Sequence, residues 1–237
     1  MLMAWTLVTG GAKRLGAHLC YALAEQGYSV VVHYNKSEQE AKDVVKKCQE
    51  MGVEAAAIQG DFSSNEAILD FTKRYLLKFK ETTNLINNVG NYFVRSGLQT
   101  PLSDWMALFQ INLHAPFILI QKLIPSLLES KGQIINLGVS GLYENPAGIY
   151  STAYRMTKSC LWMLTKSLSV ELASKGVRVN MVSPGQTDLS VDLQHQKHKL
   201  PMNRPCECRE ISRVITFLLH PDSVYITGQN IEIAGGS

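Results

Sequence analysis

The sequence predicts a doubly wound α/β fold, a single parallel sheet of about seven strands with helices on both faces. Three observations carry that prediction. Short runs rich in Val and Ile alternate with longer segments of helical period. The first such run leads straight into a glycine-rich turn and then a helix. Nothing in residues 1–237 reads as an interdomain linker, an internal repeat or a low-complexity tract, so one domain is expected.

Taken in order, strands are expected over 5–8, 29–33, 55–59, 84–87, 133–137, 178–182 and 230–233. Helices are expected over 16–26, 38–51, 65–80, 104–129, 152–175 and 208–219. Parallel neighbours need crossovers of this length, and right-handed crossovers leave helices on both faces. The one stretch without a clear period, 185–205, is long enough to be a substrate loop.

Composition narrows the function classes. With 46% hydrophobic residues, a chain of 237 can bury a large core without disulfides or metal. The net charge is only +3, and the longest basic stretch, Lys197-His198-Lys199, is diluted by histidine, so no nucleic-acid footprint is present. Cys20, Cys48, Cys160, Cys206 and Cys208 form an odd, scattered set, which predicts free thiols in a reducing compartment. The first apolar stretch has no charged region ahead of it and reads as a strand rather than a signal peptide. No apolar run is expected to span a bilayer. The expectation is a cytoplasmic protein that acts on a small molecule.

The turn Thr9-Gly10-Gly11-Ala12-Lys13-Arg14-Leu15-Gly16 lets backbone N–H groups at a helix N-terminus approach a pyrophosphate. Its expected cofactor contacts are Thr9, Gly10, Lys13, Arg14, Leu15 and Gly16. A site for NAD usually ends the second strand with a carboxylate that accepts from the ribose hydroxyls. Here that strand ends His33-Tyr34-Asn35-Lys36-Ser37, with no carboxylate before Glu38. Lys36, the Ser37 hydroxyl and Arg14 suit a 2′-phosphate instead, flanked by Tyr34 and Asn35. NADP(H) is the predicted cofactor. After the third strand, Asp61, followed by Phe62, is placed to accept from the adenine amino group, while Ser63 and Ser64 read as helix N-caps.

Tyr154 and Lys158 lie four residues apart near the start of a long helix and share one face. A phenol of reference pKa about 10 is a poor acid at neutral pH. An ammonium one turn away favours the phenolate and eases proton exchange. Asn112 precedes Pro116 by four residues, and Pro116 has no N–H to give the Asn112 carbonyl. That carbonyl is expected to hold a water that continues a proton relay from Lys158.

Together these residues resemble the short-chain dehydrogenase/reductase family, over essentially the whole chain. The glycine-rich turn, Asn87-Asn88-Val89-Gly90, Asn112, Tyr154 with Lys158, Ser183-Pro184-Gly185 and Tyr225-Ile226-Thr227-Gly228-Gln229 occur in the family's order. The resemblance implies a Rossmann fold, with Tyr154 as acid/base and Lys158 on the nicotinamide ribose. It implies that Asn112 holds the relay water and that Asn88, Val89 and Gly90 line the adenosine side. Pro184, Gly185 and Thr187 would meet the nicotinamide end. It further implies a homotetramer, or a homodimer, built on the helices that carry Asn112 and Tyr154.

Two departures stand out. Arg14 replaces the family's common glycine, and with residues 33–37, residues 61–63 and Tyr92 this resembles the pteridine reductases and the dihydromonapterin or dihydrofolate reductase branch. Tyr92 and Phe93 would then wall the pterin. The family's catalytic serine lies thirteen residues before the tyrosine, where this chain has Gly141. Ser140 fills the role if 141–150 carries a small insertion, and Val139 occupies the site under another alignment.

The favoured expectation is a pteridine reductase. Within the family the alternative is a 3-oxoacyl carrier-protein reductase, with Lys197, Lys199, Arg204 and Arg209 as a basic surface for an acidic carrier. A non-catalytic NADPH-binding sensor is the alternative of another class, motivated by the displaced serine. His195, His198, Cys206 and Cys208 share one loop, but Cys-x-Cys is tighter than the usual spacing of zinc ligands, so no metal is expected.

Overall fold

A computed structural model describes residues 4–143, 150–190 and 200–236. The strands are β1 (Trp5–Val8), β2 (Ser29–Tyr34), β3 (Ala55–Gln59), β4 (Thr82–Asn87), β5 (Gln133–Leu137), β6 (Arg178–Pro184) and β7 (Asn230–Ile233). The helices are α1 (Arg14–Glu25), α2 (Glu38–Glu50), α3 (Asn65–Lys78), α4 (Leu102–Phe109), α5 (Ala115–Glu129), α6 (Thr152–Ala173) and α7 (Cys208–Leu219). All seven strands form one parallel sheet in the order β3-β2-β1-β4-β5-β6-β7. The order reverses between β1 and β4, which opens a crevice beyond their carboxyl ends.

Both sheet faces are covered, so the strands read as nearly continuous apolar runs. Alternate residues still point to opposite cores. Val8, Val30, Val32, Ile86, Ile135 and Val182 pack with α1, α2 and α7. Leu7, Val31, Leu85, Ile134 and Val179 pack on the other face with α3, α5 and the end of α6. A buried polar ladder fixes α6 to this sheet: Asn87 donates to Asn136 at 2.8 Å, and Asn136 donates to Thr165 at 2.9 Å. That ladder sets where the face of α6 carrying Tyr154 and Lys158 meets the strand ends.

The helix expected over 104–129 is instead three segments, α4, a π turn at Gln110–His114, and α5. Pro116 offers no N–H to the fourth residue before it, and its ring crowds that carbonyl. A wide turn just before Pro116 eases the crowding, so the expected bend takes the form of a π turn. The expectation about membrane spans needs correction. Residues 102–129 are long and apolar enough to cross a bilayer, with mean hydropathy 1.3. The buried Leu119, Leu123 and Leu127 nonetheless place α5 in the core beneath the sheet.

Candidate active site

At the N-terminus of α1 the glycines are forced by crowding. Gly10 has φ +63°, and a Cβ on Gly16 would overlap the Gly10 carbonyl. Asn88 donates to the carbonyls of Thr9 at 2.9 Å and Gly10 at 3.3 Å, bracing the turn against β4. The Thr9 hydroxyl donates to Ile86 and accepts from the amides of Asn88 and Val89. Thr9 is therefore a brace, and its hydroxyl is spent on the protein. No side chain caps α1 at Lys13, so its first amides are left to an anion. This arrangement fits a pyrophosphate.

His33, fully buried at the end of β2, ties the turn to the neighbouring strand. Its Nδ1 accepts from the Gly10 amide at 3.0 Å, and its Nε2 bonds the Gly60 carbonyl at 3.1 Å. Burial lowers its pKa to about 4, so the ring is neutral and Nε2 carries the proton. The Phe62 ring stacks on His33 with centroids 4.1 Å apart and is buried. The Phe62 side chain is thus core, not a cofactor contact as expected.

The expected 2′-phosphate group divides. Arg14 and Lys36 are exposed and, among the described residues, make no ion pair or side-chain hydrogen bond. Lys13 is instead held 2.6 Å from Glu40 of α2. Arg14 adopts φ +51°, the left-handed conformation that explains the family's usual glycine there. Tyr34 is half-buried against the core and Ser37 is the N-cap residue of α2, without a side-chain cap bond. Asn35 reaches Asp61 at 3.5 Å. Asp61 accepts from the Ser63 amide and hydroxyl, both at 2.9 Å. Ser64 alone caps α3, accepting from the Ala67 amide, so the cap expected of Ser63 is corrected.

From this turn a cleft of about 700 Å³ runs past Leu15, Asn88 and Gly90 to Tyr154, Lys158 and the segment 184–190. Lys158 is 4% exposed, donates to the Leu137 carbonyl at 2.7 Å and lies 5.8 Å from the centre of the Tyr154 ring. Burial lowers its pKa to about 8. Burial raises the Tyr154 phenol well above its ordinary value, Tyr92 raises it further and Arg155 opposes them. The opposing cation is thus its neighbour in sequence.

Asn112 is fully buried in the π turn. Its side chain accepts from the Asn91 amide at 2.8 Å and donates to the Asn91 carbonyl at 3.0 Å and to Thr157 at 3.1 Å. It thus pins the segment carrying Tyr92 to the helix carrying Tyr154. Tyr92 lines the cleft and meets Tyr154 edge-on at 4.8 Å, whereas Phe93, expected to wall the same site, is not among the cleft-lining residues. Val139 and Ser140 both line the cleft, and Val139 also packs against Leu161 and Trp162.

On the far wall, Pro184, Gly185 and Thr187 line the cleft. The base of the 185–205 loop is more ordered than its sequence suggests. Cys206 donates to Gln186 at 2.8 Å, and Asp188 donates to Cys206 at 3.1 Å, pairing the two ends. Lys197, Lys199, His195 and His198 lie outside the described residues. Arg204 is paired with Glu210 and Arg209 with Glu207, so neither offers an uncompensated charge to an acidic partner. All five cysteines are free thiols, and no metal-binding cluster occurs among the described residues.

Residues 4–199 match the short chain dehydrogenase family. The chain belongs to that family. It is 34% identical over 239 residues to a 3-oxoacyl-[acyl-carrier-protein] reductase of Staphylococcus epidermidis, covering 97% of each chain. It superposes with a TM-score of 0.90 on a blue fluorescent protein from a metagenomic library in complex with NADPH, at 28% identity, covering 98% of this chain and 97% of that one. A short chain dehydrogenase from Burkholderia cenocepacia in complex with NADP gives 0.90 at 27% identity with the same coverage. Sequence reasoning missed two charged side chains in this dehydrogenase cleft, Arg155 and Glu232. Arg155 is adjacent to Tyr154 and carried a signal; Glu232 comes from the far sheet edge, where nothing local marks it.

Proposed function

We propose that this chain is a single-domain NADPH-dependent reductase that converts a C=O or C=N bond of a small molecule. One observation carries the reading: Tyr154 and Lys158 line the same cleft as Leu15 of the glycine turn, while Arg14 in that turn and Lys36 after β2 are exposed and make no ion pair among the described residues. When bound, the cofactor supplies the hydride. Pro184 and Thr187 would hold its nicotinamide end, and Asp61 and Asn88 its adenosine end. Burial keeps the Tyr154 hydroxyl protonated, so it is set to donate to the substrate oxygen or nitrogen. Lys158, with a pKa near 8, carries a proton it can give up close to neutral pH. The Asn112 carbonyl, denied a donor by Pro116, holds the water that restores the proton. Ser140 holds the substrate atom being protonated.

The curated relatives reverse the order of the two substrate readings. A 3-oxoacyl thioester is the first, supported by 34% identity along nearly the whole chain. A pterin is the second, favoured by the Tyr92 ring in the cleft and by Arg14. Assembly through α4, α5 and α6 is also part of the reading, since Leu102, Met106, Phe117 and Met163 are exposed there. Light scattering should give a dimer or tetramer. The decisive test is NADPH oxidation with acetoacetyl thioesters and with dihydrobiopterin. Tyr154→Phe should lower kcat about 10³-fold while NADPH still binds. Full turnover in that variant rejects the mechanism, and NADPH binding with no turnover of any carbonyl favours a sensor.

A further inference from the structure

The loop that follows β5 is held by two charged side chains, Glu232 and Arg155. The backbone of Gly141 stands thirteen residues before Tyr154 and adopts φ +75°, a conformation suited to glycine. Its amide donates to both carboxylate oxygens of Glu232 at 3.0 Å, and the Leu142 amide adds a third bond at 3.3 Å. Its carbonyl accepts from Nη2 of Arg155 at 2.9 Å. One peptide unit on each side of Gly141 is thus gripped by a charged side chain, one from β7 and one from α6. The preceding residue is tied as well, because the Ser140 amide donates to the Pro184 carbonyl at 3.0 Å. Backbone bonds and both charged groups therefore leave Ser140 little freedom. Its hydroxyl makes no hydrogen bond among the described residues.

We propose that Glu232 and Arg155 are positioning residues that hold Ser140 at the reacting end of the cleft, in place of a serine at position 141. The physical reason is the loop itself. A serine one position from the usual spacing, on a loop anchored only by backbone bonds, samples several orientations, and proton transfer is sensitive to misplacement of about 1 Å. Charge-assisted bonds to a half-buried carboxylate and guanidinium are short and directional, so they narrow that range. Glu232 is itself oriented, accepting from Asn230 at 3.4 Å, and Asn230 in turn accepts from Ser183 at 2.6 Å. The chain of bonds leads from the end of β6 through β7 to the peptide after Ser140.

The inference rests on the reductase reading, and a double-mutant cycle separates the two. Measured on the full chain with saturating NADPH and a substrate that the wild type turns over, Glu232→Ala should lower kcat about tenfold. The KM for NADPH should stay within about twofold, because none of the clamp's bonds involves the glycine turn. Glu232→Gln keeps one acceptor oxygen and should recover most of the loss. In a Ser140→Ala background Glu232→Ala should change kcat little, since a positioning group has nothing left to position. Equal losses in both backgrounds, or an unchanged kcat in Glu232→Ala or in Ser140→Ala, overturn the proposal while Tyr154→Phe remains inactive. An active Tyr154→Phe overturns the reductase reading first. Arg155→Lys, which retains a donor, guards against a folding defect and should lose less than Arg155→Ala.

Discussion

The glycine turn before α1 and the loop after β5 bound the same cleft, yet they are held by different kinds of contact. In the turn, backbone packs on backbone: Gly16 lies against the Gly10 carbonyl, and short side chains from the end of β4 and β2 fill the remaining donors and acceptors. In the loop, two long charged side chains from different elements reach the two peptides that flank Gly141. The first arrangement tolerates almost no change of shape; the second tolerates changes of shape but not loss of reach. Binding of a common cofactor needs the former, and adaptation to a particular substrate is served by the latter.

The largest effect should come from breaking the rigid side of that comparison. A Cβ at Gly16 collides with backbone, which cannot swing away as a side chain would. Gly16→Ala should cost about 3 kcal/mol of stability and abolish NADPH binding. Urea melts and a fluorescence titration with NADPH check both. Glu232→Ala, by contrast, should leave the melt nearly unchanged. If the two variants lose similar stability, the loop is as rigid as the turn and the contrast fails.

Next in size is a pH effect confined to the turn. His33 has a folded-state pKa of about 4 against 6.5 for the free side chain, because burial penalises the imidazolium. The unfolded chain then binds more protons between those values, so stability contributed by neutral His33 is full above pH 6.5 and is lost as pH falls toward 4. The gap corresponds to about 3 kcal/mol. Protonation also fills Nδ1 and evicts the Gly10 amide. His33→Gln, which can accept and donate in the same places, should flatten the stability profile between pH 4 and 6.5. A wild-type profile already flat there would separate His33 from the turn's stability.

The same contrast explains what was legible in the sequence. All seven strands were readable, since burial on both faces leaves an unmistakable apolar run, and six of the strand starts needed no more than local pattern. β4 begins two residues early at Thr82 because its pairing with β1, not its own composition, extends it. The glycine turn and the Tyr154–Lys158 pair were legible because their chemistry is written in short spacings. Phe62, Phe93 and Lys13 were misread because residues near a strand end face the core, the cleft or a neighbouring helix, and spacing alone does not choose. Glu232 was invisible because it meets Gly141 across ninety-one positions of chain.

A smaller effect tests the π turn. Pro116→Ala supplies the N–H that Pro116 lacks and lets the Asn112 carbonyl close a regular helical bond. Turnover should fall about threefold at low buffer concentration and recover when buffer supplies the proton. An unchanged rate at both concentrations assigns the turn to packing alone.

The smallest change in stability, and the most informative in sign, is expected at Arg14. A non-glycine residue at φ +51° costs about 1 kcal/mol, partly offset in Arg14→Gly by the greater entropy of glycine in the unfolded chain. Arg14→Gly should therefore melt at the same temperature or slightly higher. Its cofactor preference should move the other way: the KM for NADPH should rise about tenfold or more, with the value for NADH almost unaltered, because only NADPH carries the phosphate that an exposed guanidinium attracts. A strained residue whose removal improves the fold and harms one cofactor is strained for that cofactor. Equal effects on NADPH and NADH would leave the left-handed arginine without a function and return the turn to a purely structural role.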